Sequence, residues 1–154
     1  KIGVIVEINT ETDFSANTDT VKDFARDIAM HIAAANPLYI SEEDADENDI
    51  AQQREILVNQ AINEASDNMP EDKKKMIAEK KVEGRLKKYL SEVCLLDQPY
   101  IKNPDQTVES YLRDTANNVG ENIKIRRFAR FEVGEGIEKK EEDFAAEVAS
   151  QMNA

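Results

Sequence analysis

Apolar and polar residues alternate at the start of the chain and again near residue 130. The even-numbered positions from 2 to 8 are Ile, Val, Val and Ile, and the positions between them are mostly polar or glycine. This period of two predicts a strand with one buried face. Residues 122–133 repeat the pattern. If the alternation is regular, Phe128 lies on one face of this strand and Arg127 on the other. The residues that share the face of Arg127 are Ile123, Ile125, Ala129, Phe131 and Val133.

Helical spacing dominates between these two segments. In residues 18–35 the apolar positions recur at i, i+3, i+4 and i+7, which predicts an amphipathic helix that ends before Pro37. Further helices are predicted over 50–68, over 70–96, between Thr107 and Gly120, and over 138–152. This order indicates an α+β fold, with a small antiparallel β-sheet packed against several α-helices and a C-terminal helix. Since a two-stranded sheet is marginal, we expect an upstream strand or a second subunit to cover it.

The second strand ends at a pair of glycines, Gly134 and Gly136. We therefore divide the chain into a core domain, 1–133, and a C-terminal helical module, 134–154. The chain begins with Lys inside a strand, and we expect it to be part of a longer protein. Gly84 interrupts the helix predicted over 70–96, which suggests that something packs closely there.

The segment between the first strand and the first long helix holds the first candidate site, Thr12, Asp13 and Phe14. An aromatic ring beside a carboxylate in a short polar connection indicates a tip presented to a partner. The alternative is local: Phe14 folds back as a hydrophobic staple, and Asp13 or Ser15 caps the helix. The pattern leaves both interpretations open.

A second candidate site lies on the first long helix. Projected at about 100° per residue, Met30 falls opposite the apolar stripe and His31 lies on its flank. We interpret the two as one partner-binding patch, against the alternative of an ordinary exposed methionine. With one histidine and one cysteine in the chain, His31 is expected to pack or to form hydrogen bonds rather than to bind a metal.

Composition narrows the class of protein. The chain has 154 residues, 40% of them hydrophobic, which suits one core. The net charge of −12 disfavours nucleic acid and anionic membranes as partners. The lone Cys94 cannot form an internal disulfide, and no apolar run is long enough to span a bilayer, so we expect a cytoplasmic protein.

Charged segments offer two weaker hypotheses. Asp44, Asp46, Asn48 and Glu55 match positions of a calcium-binding EF-hand loop, but Asp49 stands where the loop requires glycine, so solvated acidic residues at a helix start are favoured. The lysines of the helix predicted over 70–96 form a basic face, interpreted as solvated rather than as a docking surface. Catalytic motifs and ligand spacings are lacking, so we expect neither an enzyme nor a bound cofactor or metal.

The chain resembles one family over nearly its whole length. Residues 2–9 followed by Thr12, Asp13 and Phe14 are similar to the strand and signature tip of bacterial elongation factor Ts. Later blocks follow in the family's order: IAMHIAA at 28–34, VEGR at 82–85, QPYI at 98–101, GENI at 120–123, RRF at 126–128 and GEGIEK at 134–139. Two positions depart from the family pattern, with Ser15 where an aliphatic residue is usual and Asn17 where a basic residue is usual.

The resemblance implies a guanine-nucleotide exchange factor that binds elongation factor Tu and promotes GDP release during translation elongation. Asp13 and Phe14 would wedge beside the nucleotide site, Met30 and His31 would contact another domain of the GTPase, and the C-terminal helix would contact its nucleotide domain. The alternative is a passive binding or dimerisation module without exchange activity. Ile5 and Phe128, both expected on the outer faces of their strands, also suggest a homodimer through the sheet.

Overall fold

The computed structural model describes residues 1–138 and 144–153. Within these residues the chain forms six α-helices and two small antiparallel sheets, so the predicted α+β fold is confirmed. The elements, in chain order, are β1 (Ile2–Thr10), α1 (Asp13–Ala16), α2 (Asp19–Ala35), α3 (Glu47–Asn63), α4 (Glu71–Val93), β2 (Pro99–Tyr100), β3 (Asn103–Thr107), α5 (Val108–Val119), β4 (Ile123–Glu132) and α6 (Phe144–Met152).

The main sheet pairs β1 with β4 in antiparallel register, and one residue of β4 is inserted into the ladder. Glu7 lies opposite Arg127, whereas the next residue, Ile8, lies opposite Ile125. Arg126 is therefore a β-bulge, and beyond it the side chains of β4 exchange faces. The predicted strand is confirmed, but its predicted faces are wrong beyond Arg126.

The bulge decides which aromatic ring of β4 packs against the core. Phe128 lies opposite Val6 and packs against the main core, although regular alternation placed it on the outer face. Phe131, expected inside, is 62% exposed, and Ile5 on the same outer face is 71% exposed. Arg127, also expected inside, is exposed and pairs with Glu7. The sequence pattern carried no sign of the inserted residue.

The main core lies between the sheet, α2 and α5. α2 follows the prediction closely. The hydroxyl of Thr18 caps it by accepting from the backbone N–H of Val21 at 3.3 Å, and Asn36 ends it with a left-handed φ of 48°. The buried residues of the main core are Val21, Phe24, Ile28, Ile32, Leu95, Tyr100, Val108, Ile123 and Ile125.

Arg130 ties β4 to the end of α2. It follows Phe128 on the inward face, and its guanidinium donates to the carbonyl oxygen of Ala33 through Nε at 3.3 Å and Nη2 at 3.1 Å. A cation at this position complements the partial negative charge of a helix C-terminus. The contact fixes the C-terminal end of α2 against the sheet.

α3 and α4 form a helical hairpin with its own core. α3 begins at Glu47 and ends at Asn63, earlier at both ends than predicted. The early start is explained by Asp46, which caps the helix by accepting from the N–H of Asn48 at 2.8 Å. The carboxylates of Asp44 and Asp49 likewise accept hydrogen bonds, from Ser41 and from the Tyr39 hydroxyl. The acidic segment is therefore built into the local fold. The hairpin core is formed by Leu57, Ala61, Ala78, Val82, Leu86, Leu90 and Cys94.

The expectation of close packing at Gly84 is wrong, because a Cβ there would meet nothing within 4 Å. At the C-terminal end, the described part of the predicted last helix is α6, and its side chains are exposed. Residues 139–143 of that prediction lie outside the described residues. The boundary at residue 133 stays a prediction. No helix in 1–138 or 144–153 is long and apolar enough to cross a membrane.

Candidate functional site

The connection between β1 and α2 presents Phe14 to solvent. Thr12 caps the single-turn helix α1, its hydroxyl accepting from the N–H of Ser15 at 3.3 Å. Phe14 is 89% exposed, so it is not a staple on the helix. Nor do Asp13 or Ser15 cap α2, since Thr18 fills that role. Of the two interpretations that the sequence left open, the geometry favours the presented tip. We call residues 12–17 the wedge tip.

The two departures from the family pattern have local roles in the wedge tip. Ser15 is 8% exposed, and its carbonyl accepts from the hydroxyl of Thr18 at 2.7 Å. The side-chain amide of Asn17 donates to the carbonyl of Asp13 at 2.9 Å. Successive residues of a helical turn point about 100° apart, so an inward Ser15 leaves Phe14 pointing outward. Both residues therefore help to fix the turn that exposes the ring.

Glu121, a residue that sequence reasoning did not single out, anchors the wedge tip. Its carboxylate accepts from the N–H of Thr12 at 3.1 Å and from the Thr12 hydroxyl at 2.6 Å. Hydrogen bonds from the hydroxyls of Thr12 and Ser15 hold the pKa of Glu121 below its ordinary value. Gly120 makes this possible by ending α5 with a left-handed φ of 72°. The available signal was an acidic residue directly after a helix-ending glycine.

Met30 and His31 do not form one exposed patch. Met30 is 41% exposed, as the helix projection implied, but His31 is fully buried. Its Nδ1 accepts from the N–H of Ile101 at 3.3 Å, so Nε2 carries the proton and donates to Oε1 of Gln98 at 2.9 Å. Burial lowers the pKa of His31, and the bond to Gln98 offsets part of that effect. His31 therefore holds a neighbouring segment in place from inside the fold.

The segment that His31 holds is the turn between β2 and β3. Ile101, in this turn, is 41% exposed, and Lys102 beside it forms an ion pair with Asp27 of α2. The hydroxyl of Tyr111 also donates to Asp27, at 2.9 Å, and its ring stacks on Tyr100 with centroids 4.5 Å apart. Burial opposes ionisation of Asp27, but the bonds from Lys102 and the tyrosines leave its pKa lowered.

The second exposed surface is therefore composed differently from the prediction. Met30 adjoins His31 in α2, and Ile101 is hydrogen-bonded to His31, so two partly exposed apolar side chains lie at this part of the molecule. We call Met30 and Ile101 the second patch. Tyr100, the residue before Ile101, is buried.

Comparison with known proteins places the chain in one family. The family model described as Elongation factor TS matches residues 1–135. The chain is 58% identical to the elongation factor Ts of Finegoldia magna over 99% of the chain and 68% of that relative. It is 59% identical to the protein of the same name from Carboxydothermus hydrogenoformans, over 99% of the chain and 67% of the relative. The corresponding protein of Geotalea daltonii is 47% identical over 100% of the chain and 68% of the relative. The chain belongs to the elongation factor Ts family.

Proposed function

We propose that this chain is a guanine-nucleotide exchange factor that binds elongation factor Tu and accelerates release of GDP during translation elongation. The observation that carries the proposal is the ring of Phe14, 89% exposed at the end of a hydrogen-bonded turn, in a chain of the elongation factor Ts family. The chain itself makes and breaks no covalent bond in this role. Translation elongation takes place in the cytoplasm, and we place the chain there.

The wedge tip is suited to insertion because its conformation is set before binding. Full burial of a phenylalanine side chain contributes about 1.5–3 kcal/mol, and a preformed turn avoids most of the ordering cost. GDP bound at nanomolar affinity corresponds to about −12 kcal/mol, so the factor must gain contacts that nucleotide binding removes. Thermodynamic linkage makes the effect reciprocal: this chain lowers the affinity of the GTPase for GDP by the same ratio by which GDP lowers its affinity for this chain. Phe14, with Asp13 beside it, supplies contacts of that kind.

The second patch would contact another domain of the GTPase. Met30 and Ile101 are apolar and partly exposed, and the bonds to His31 and Asp27 hold the β2–β3 turn against α2. In this proposal Met30 and Ile101 touch the partner, and His31 positions Ile101 from beneath. Contact at a second place would orient the wedge tip on the nucleotide site.

α6 offers a third apolar surface. Phe144, Val148 and Met152 recur at i, i+4 and i+8 on its exposed stripe. We propose that this helix adds a contact to the nucleotide domain, as part of the C-terminal module that begins after residue 133. Its narrow stripe fits the helix-in-groove mode of recognition.

A homodimer through the sheet remains part of the proposal, with one residue changed. The outer face of β1 and β4 carries Ile5 and Phe131, and Val133 just beyond β4 is 76% exposed. Phe128 no longer supports it, because it packs inward. Adjacent exposed apolar residues on a two-stranded sheet favour association through that face.

Release of a fluorescent GDP analogue from elongation factor Tu, followed by stopped flow, tests the main proposal. The chain should raise the release rate in proportion to its concentration until saturation, and Phe14→Ala should abolish most of the effect. A passive binding or dimerisation module, the alternative function, would bind the GTPase in a pull-down or by calorimetry and leave the release rate unchanged.

A further inference from the structure

A carboxylate 109 residues away in sequence holds the start of the wedge tip. Both donors of Thr12 point at Glu121, with the hydroxyl at 2.6 Å and the N–H at 3.1 Å. The same hydroxyl accepts from the N–H of Ser15 at 3.3 Å. Phe14 stands in the chain between these two hydrogen-bonded residues. Hydrogen bonds therefore connect Glu121, just before β4, to Thr12 and through it to Ser15, one residue on each side of the exposed ring. We call this connection the relay.

This relay matters more for the orientation of the ring than for the stability of the fold. Thr12 is exposed and Glu121 is half-buried, and a hydrogen bond lost so close to the surface is largely replaced by water. By contrast, α1 is a turn of four residues, and such a short helix does not persist by its own hydrogen bonds. Without Glu121 the turn would sample other conformations, and the direction of Phe14 would vary with it.

We propose that Glu121 is a positioning residue for nucleotide exchange, which through Thr12 holds Phe14 in the orientation required for insertion. The inference rests on the proposed function, because orientation matters only if the ring is inserted. Glu121 need not touch the GTPase in this role. It acts by restricting the ring before the encounter, so that less conformational freedom is lost when the ring is inserted.

The chemistry of the pair predicts which variants will fail. An ionised carboxylate only accepts hydrogen bonds, so it can receive both donors of Thr12 at once. Glutamine offers one accepting oxygen and would set its NH₂ group against the other donor. Glu121→Gln should therefore be intermediate, and Glu121→Ala should lose the anchor completely. On the other side, Thr12→Ser keeps the hydroxyl, whereas Thr12→Val removes it with little change in volume.

The experiment measures three quantities for each variant: the maximal GDP-release rate at saturating factor, the factor concentration at half-maximal rate, and the thermal unfolding midpoint. Glu121→Ala and Thr12→Val should each lower the maximal rate about tenfold, with midpoints shifted by less than about 3 °C. Thr12→Ser should restore most of the rate. The double variant should lose less than the product of the two single effects, since both single variants remove the bond between the Thr12 hydroxyl and the Glu121 carboxylate. Glu79→Gln, an exposed glutamate on α4, is the matched control and should match the wild type.

A readout on the free chain separates this inference from the proposed function. Amide hydrogen exchange at Thr12 and Ser15, followed by NMR, should become faster in Glu121→Ala and stay unchanged in Glu79→Gln. If the wild type does not accelerate GDP release, the proposed function fails, and the exchange measurement still tests the anchor. Unchanged protection of these amides in Glu121→Ala would overturn the inference. So would a wild-type release rate in that variant, or a loss of rate explained by a lowered unfolding midpoint.

Discussion

Phe128 lies directly opposite Val6 in the antiparallel ladder and packs with it against the core, whereas Ala129, the next residue, lies opposite Ile5 on the outer face. The inserted Arg126 produces this arrangement. It removes Phe128 from the surface and places Phe131 there, beside the exposed Ile5. The residues to alter in a test of association are therefore Ile5 and Phe131.

We expect Phe131→Lys, alone or with Ile5→Lys, to yield a monomer at near-constant stability, because the outer face tolerates charge and a dimer interface does not. Phe128→Lys should instead destabilise the fold by about 2 kcal/mol, since it removes an aromatic ring from the edge of the core and sets a cation against apolar residues. Sedimentation and thermal unfolding measure the two effects. A monomeric wild type, or a dimer that survives Phe131→Lys, would exclude association through this face.

Phe14→Ala should reduce factor-stimulated GDP release at least tenfold and change the free energy of unfolding by less than about 0.5 kcal/mol, because the ring is 89% exposed and contributes little to packing. Met76→Ala, at a methionine that is 59% exposed on α4, is the control and should keep the exchange rate. Normal exchange in Phe14→Ala would contradict the insertion of this ring beside the nucleotide site.

Met30→Glu and Ile101→Glu should each weaken binding to elongation factor Tu about tenfold, equivalent to about 1.4 kcal/mol, at similar stability. Both side chains are 41% exposed, and a charge would be desolvated on docking. Met76→Glu, at a methionine that is 59% exposed on α4, provides the control. Calorimetric titration gives the affinities. Equal affinities for all three variants and the wild type would remove the second patch from the interface.

The stability of the chain should depend on pH through His31, its one histidine. Burial lowers the pKa of His31 in the folded chain, and Nδ1 must stay unprotonated to accept from Ile101. The unfolded chain therefore takes up this proton first as the pH falls. The contribution of His31 to the free energy of unfolding is complete above the unfolded pKa of 6.5 and declines below it, by at most about 1.4 kcal/mol per pH unit.

Thermal unfolding between pH 7.5 and 5.5 checks this dependence. His31→Gln keeps a donor and an acceptor but does not titrate, so its unfolding midpoint should be lower than that of the wild type and nearly constant over this range. Parallel slopes for the two proteins would assign the pH dependence to other groups.

Two glycines should respond to alanine in opposite directions. Gly120→Ala should destabilise the chain by about 1 kcal/mol, because φ is 72° and an L side chain is strained there. Gly84→Ala should stabilise it by about 1 kcal/mol, since it removes a flexible residue from the interior of α4 and its Cβ meets open space. Denaturant unfolding compares the two. Equal effects would contradict the role assigned to Gly120.

Local signals in the sequence identified the elements, and contacts between distant elements decided the rest. The helix start near Thr18, the helix end before Pro37 and the helix end at Gly120 are short-range features, and all three are present. The bulge at Arg126 depends on pairing with β1, 119 residues away at Glu7, so the alternation of β4 alone could not indicate it. The sequence identified Phe14 as a candidate site residue but did not decide whether its ring is exposed, because a hydrophobic staple and a presented tip have the same sequence pattern.

The same distinction applies to the second patch and to the anchor of the wedge tip. Helix projection placed Met30 correctly, because it depends only on α2. It placed His31 at the edge of the apolar stripe, and burial of that edge depends on a turn 70 residues further along the chain. The pairing of Thr12 with Glu121 spans 109 residues and has no counterpart in local spacing.

α2 sets the distance between the two proposed contacts with the GTPase. From Thr18, just after the wedge tip, to Met30 is twelve residues of helix, or about 18 Å at 1.5 Å per residue. Arg130 clamps the far end of this rod, and Thr18 fixes its start. α2 thus keeps the two contacts at a fixed distance. If the domains of the partner rotate, the distance between its two binding pockets changes. Both contacts then form only in the domain arrangement that matches this distance.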